Sequence, residues 1–161
     1  MRTNIESSWT QSLLRGEQPS AADLRNHLMT VHRHYPGFTE SCALRCKDKL
    51  GRNSYEFLSD IVDPTQHRRV LDLACGSGVL LEICNQRFGQ SVVLNGFDMS
   101  MEELELARKR NSNPLIKLHQ GVAQDLSSFD DGIFDVVLCH WALTLMDQVP
   151  QVLREVSLSL I

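Results

Sequence analysis

Two hydrophobic periods divide the chain. From residue 67 onward, short apolar runs alternate with stretches whose apolar residues recur every three or four positions, the pattern of parallel βαβ units. Strands are expected at 69–73, 92–97, 116–120 and 134–139, and a helix over 101–110. Residues 1–66 carry only the helical period. Ser20 and Asp23 form a capping box for a helix with Leu24, Leu28 and Val31 on one stripe, which Pro36-Gly37 interrupts. Asn53 and Glu56 cap another, with Phe57, Leu58, Ile61 and Val62 as its apolar face and Asp63-Pro64 as its stop. A last helix, capped by Asp147, carries Val149, Val152, Leu153, Val156 and Leu160 on one face. The expected class is α/β: a parallel sheet over 67–161 behind an N-terminal helical cap, or lid, over 1–66.

The stretch Val70-Leu71-Asp72-Leu73-Ala74-Cys75-Gly76-Ser77-Gly78 reads as a buried strand and a tight turn, with a helix following from Val79. A turn without β-carbons lets a ligand lie against backbone, and the following helix N-terminus favours a carboxylate or phosphate. A dinucleotide turn wants a third small residue where this chain has Leu81. Asp72 also ends the strand, where it would repel a phosphate. An acidic strand end, a small-residue turn and a helix N-terminus together suit a ligand with both an amine and a carboxylate, such as an amino-acid nucleoside.

The second strand ends in Asp98, one βαβ unit downstream, where a carboxylate takes the two hydroxyls of a ribose. Ser100 with Glu103 supplies a capping box for the helix 101–110, which leaves Asp98 free for that role.

With these residues in place, the chain resembles the class I S-adenosylmethionine-dependent methyltransferases. The resemblance runs from about Arg69 to Leu158 and rests on Val70–Gly78, Gly96-Phe97-Asp98-Met99-Ser100, Gly121-Val122-Ala123-Gln124-Asp125-Leu126 and Phe134-Asp135-Val136-Val137-Leu138, in that order. It implies a Rossmann-like fold with S-adenosyl-L-methionine as cofactor and S-adenosyl-L-homocysteine as product. Asp72 and the turn Ala74, Cys75, Gly76 and Gly78 would surround the methionine portion, Asp98 the ribose and Met99 the adenine. Ala123, with Gln124 or Asp125, would reach the adenine edge, and the Cys139 carbonyl the methionine amine. Ala74 stands where the commonest turn has glycine, and Val122 where many relatives carry an acid. The fold resembled has seven strands and this sequence shows four. The chain therefore reads as an N-terminal, truncated portion whose apolar fourth strand is an edge open to an oligomer or partner chain.

Composition narrows the partners. The formal net charge is −4, and the one basic cluster, Arg108-Lys109-Arg110, ends a helix whose dipole it complements, so no nucleic-acid partner is expected. No apolar run spans a bilayer, and Met1–Glu6 lacks a secretory core, so no membrane partner is expected. Five scattered cysteines (42, 46, 75, 84, 139) without zinc-type spacing read as reduced thiols in a cytoplasmic protein with no metal site.

For methyl transfer to a small molecule, the protein chiefly orients the acceptor and removes its proton. His140, just after the fourth strand, is the candidate base, and Trp141 a candidate wall of the acceptor pocket. A metal-binding carboxylate of catechol-type relatives is missing at 139–140, which argues against magnesium. Segment 31–40 would form a lid, with Tyr35 and Phe38 facing the ligand. The competing expectations are a non-catalytic cofactor-binding or interaction module that needs a partner chain and, more distantly, a nicotinamide oxidoreductase.

Overall fold

The computed structural model describes residues 5–161; the first four residues and the Cys42 side chain lie outside that description, and with them part of the expectations on the leader and the thiols. In chain order the helices and strands are α1 (Ser8–Leu14), α2 (Ala21–His34), α3 (Phe38–Ala43), α4 (Ser54–Ser59), β1 (Arg69–Leu73), α5 (Val79–Phe88), β2 (Val93–Asp98), α6 (Met101–Arg110), β3 (Lys117–Gln120), β4 (Val136–Leu138) and α7 (Val149–Ser159).

The four strands form one parallel sheet in the order β3-β2-β1-β4, an α/β Rossmann-like arrangement. β1, between two neighbours, is buried except at Arg69, as a strand covered on both faces must be. Its alternate residues serve two apolar clusters. Val70 packs with Leu94 and with Leu80, Leu81, Cys84 and Leu104 of α5 and α6. Leu71 and Leu73 pack with Phe97, Phe134 and Val152 of α7. Register sets Asp72 opposite Gly96 and Leu138, which aligns the carboxyl ends of β1, β2 and β4 along one edge.

The bulky Leu81 that argues against a dinucleotide turn is accommodated across the sheet. A Cβ on Gly96 would stand 2.7 Å from Leu81 Cδ1 and 2.8 Å from Leu118 Cδ2, so the small residue lies on β2 and not on α5.

Three local expectations change. α4 is shorter than its apolar pattern and turns a different face inward: Phe57 and Ile61 are exposed, while Val62 and Tyr55 are buried. α7 begins at Gln148 without a side-chain cap, because Asp147 instead pairs with Arg25 at 2.7 Å. β4 is the sheet edge, as expected, but its entrance is covered: Phe134 N donates to Ser159 O and Ile161 N to Phe134 O, a parallel bridge from the end of α7.

Candidate functional site

The turn after β1 bends through left-handed backbone at Ala74 (φ 57°), Gly76 (φ 51°) and Gly78 (φ 77°). Only glycine fits at 78, where a Cβ would meet Ala107 Cβ at 2.9 Å and Asn111 Nδ2 at 2.7 Å. Ala74 takes a conformation that costs an L-residue roughly 1–2 kcal/mol, which explains why glycine is commoner there.

Two carboxylates flank this turn. Asp98 Oδ2 accepts from Gly76 N at 2.9 Å and Oδ1 from Ser100 N at 2.8 Å, so Asp98 holds the turn and retains lone pairs for a ligand. Asp72 is 2% exposed, and its Oδ2 has no hydrogen-bond partner among the described residues. Burial first, then the Asp98 charge, push its carboxyl well above the usual range. A buried acid with an open oxygen is suited to a cationic donor.

An open cleft extends from these acids. Of the residues named from the sequence, Asp72, Ala74, Cys75, Gly76, Asp98, Met99, Ala123, Gln124, His140 and Trp141 line it. Five expected residues lie off it. Gly78 instead brings α5 close to α6. Cys139 packs against the second apolar cluster, its thiol pushed up to about 11, mainly by burial. Asp125 points to solvent and accepts from Ser127 N and Oγ in a local turn. Tyr35 and Phe38 are 42% and 51% exposed; from the same segment His32, Gly37, Thr39 and Glu40 line the cleft instead. The turn at Gly37 (φ 77°) accounts for this, directing backbone and polar side chains inward.

Tyr55, Glu40 and Glu103 are among the lining residues that the sequence did not single out. Tyr55, an aromatic in a short helix, is buried beside His140 with ring centroids 3.9 Å apart. Glu40 accepts from Ser77 Oγ and from Arg110 Nη2. Glu103, expected to complete a capping box, makes only its backbone half, with Glu103 N donating to Ser100 Oγ. Its side chain turns away to His32 Nδ1 (2.7 Å) and Gly37 N (2.8 Å).

His140 Nε2 lies 2.8 Å from Ser54 Oγ, while Nδ1 is buried without a partner among the described residues. The ring stacks on Trp141, which is itself held at φ 55°, a rare backbone state for so bulky a residue. Burial lowers the His140 pKa, which favours the neutral imidazole.

A family described as a methyltransferase domain matches residues 70–160. The demethylmenaquinone methyltransferase of Symbiobacterium thermophilum is 34% identical over 91 residues, which cover 54% of this chain and 36% of that protein. The ubiquinone biosynthesis O-methyltransferase of Vibrio campbellii is 33% identical over 85 residues, covering 52% and 34% respectively. The chain thus spans about a third of the length of these curated relatives. In fold, an S-adenosylmethionine-dependent methyltransferase from Mesorhizobium loti superposes with a TM-score of 0.55 over 65% of this chain and 47% of that one, at 22% identity.

Proposed function

Because the chain belongs to the methyltransferase-domain family, its match spanning more than half of the residues, we propose that it is the S-adenosyl-L-methionine-binding portion of a methyltransferase acting on a small molecule. The observation that carries this reading is the pair of buried acids astride the glycine turn, Asp72 with an open oxygen and Asp98 with spare lone pairs. Asp72 would hold the ammonium of the methionine portion and Asp98 the ribose hydroxyls. Met99, Ala123 and Gln124 would bound the adenine. Bound there, the cofactor supplies a methyl group already activated on a cationic sulfur.

His140 would take the acceptor's proton. In the tautomer whose Nε2–H donates to Ser54 Oγ, Nδ1 keeps a free lone pair. Tyr55 and Trp141 flank the ring and would orient a flat acceptor. The cleft's charged lining is mainly acidic, with Asp72, Asp98, Glu40, Glu103 and Asp147 against Arg25 and His32, which supports a small acceptor over a nucleic acid. No described helix is long and apolar enough to cross a membrane. Free thiols at Cys46, Cys75, Cys84 and Cys139 support a cytoplasmic location. The position of β4 at one edge of the sheet supports an oligomer or partner chain beside it.

Calorimetric titration with S-adenosylhomocysteine and with NADH tests the reading. The homocysteine nucleoside is expected to bind, NADH to give no heat, and Asp98→Ala to abolish binding. A folded protein that ignores the nucleoside, or an Asp98→Ala variant that binds it unchanged, would overturn the proposal.

A further inference from the structure

One carboxylate connects the two sides of the cleft. Glu103 is 2% exposed at the start of α6. Its Oε1 accepts from Gly37 N and lies against His32 Nδ1, side chains and backbone 66 and 71 residues away in sequence. Its Oε2 has no partner among the described residues and stands 3.9 Å from where a Cβ on Gly76 would be. The same side chain therefore grips the α2–α3 connection and backs the glycine turn. α2 buries none of its own residues. Its apolar residues are only half-covered, so polar contacts such as this one carry a larger share of its attachment than they do for the sheet.

We propose that the His32–Glu103 pair is a clasp that positions the α2–α3 segment over the cleft, so that His32 and Glu103 are positioning residues for the cofactor. The inference rests on the reading of the cleft as an S-adenosylmethionine site and adds what closes it. A part-buried, charge-assisted hydrogen bond is among the stronger polar contacts available, and removing His32 leaves the buried Glu103 without its cationic partner. The clasp is also conditional. Glu103 raises the His32 pKa against an opposing burial effect, with Asp98 and Glu102 adding to the rise. The other charged groups nearby are Arg33 on α2 itself, which pairs with Glu102, Glu40 on α3, which pairs with Arg110, and Asp72 behind Asp98. A raised histidine pKa means the charged pair is complete at low pH and is lost as pH rises through the folded value. Asp72 acts in the opposite sense, since its deprotonation favours an ammonium ligand.

The test separates the two by comparing variants at each pH. S-adenosylhomocysteine is titrated from pH 6 to 9 into the wild type, Glu103→Gln, His32→Gln and the double variant. Each single variant is expected to bind about tenfold or more weakly at pH 6. The double variant is expected to bind no more weakly than either, and the gap to close as pH rises. Hydrogen exchange of the α2 amides is expected to slow on ligand binding in the wild type and less in the variants. His32→Gln lies on a helix without buried residues, so it remains informative if Glu103→Gln does not fold. Unchanged affinities, or a deficit that stays constant with pH, would overturn the clasp alone. A wild type that binds no nucleoside overturns the reading of the site and the clasp together.

Discussion

β1 and α2 meet the same cleft but are held in different ways. β1 buries four consecutive residues, two toward each helical layer. α2 has fourteen residues and buries none; Leu24, Leu28 and Val31 are half-covered. Its ion pairs to the rest of the molecule are His32 to Glu103, Arg33 to Glu102 and Arg25 to Asp147. Apolar burial is non-directional and insensitive to pH, whereas ion pairs depend on protonation, salt and geometry. The sheet side of the cleft, its floor, is thus held mainly by apolar packing, and its α2 side, the cover, in larger part by contacts that depend on protonation and salt. A ligand can enter without disturbing the sheet, and segments that open for ligands are drawn from the least buried parts of a fold.

The largest expected effect breaks this comparison most directly. Leu71→Ala removes a fully buried side chain from β1 and should cost about 2–5 kcal/mol. Leu28→Ala on α2 should cost less than about 1 kcal/mol. Urea unfolding of both variants measures the difference, and equal losses would mean that α2 is held as the sheet is.

A middle-sized effect sharpens the electrostatic side. Asp72 in the folded, ligand-free protein keeps a proton that the unfolded chain has already released, because burial raises its pKa. The stability associated with that proton is complete below the unfolded carboxylate pKa and is lost as pH rises through the folded one. Within that window the slope from this one group approaches about 1.4 kcal/mol per pH unit. Asp72→Asn should flatten that part of a stability-versus-pH curve while abolishing nucleoside binding. A slope identical to wild type would show that Asp72 is not the titrating group.

The smallest effect concerns the turn between floor and cover. Ala74→Gly relieves the left-handed backbone at φ 57° but frees the unfolded chain, so the two contributions nearly offset and the net change should stay within about 1 kcal/mol. Thermal unfolding would detect a larger gain, which would mean that the turn stores more strain than its dihedral indicates.

Much of the floor was legible in the chain itself. The span 69–73 is β1 residue for residue, and the helix 101–110 is α6. Asp72, Gly76 and Asp98 could be placed because strand ends and turn glycines leave local marks. The cover was not legible in the same way. Tyr35 and Phe38 looked like ligand-facing aromatics but are exposed, since nothing within a few residues records which side of a Pro-Gly turn will be covered. Glu103 was hidden by a better-known pattern: Ser-x-x-Glu announces a capping box, and here only the serine performs that role.

The sequence by itself determined the sheet, the glycine turn and the two acids beside it, because hydrophobic period and backbone sterics act over a few residues and hold in any context. Tertiary structure alone decided that Glu103 meets His32, that Tyr55 packs against His140 and that Gly96 makes room for Leu81. Those are meetings of side chains far apart in the chain, and a directional contact of that kind exists only once packing has brought both partners within reach.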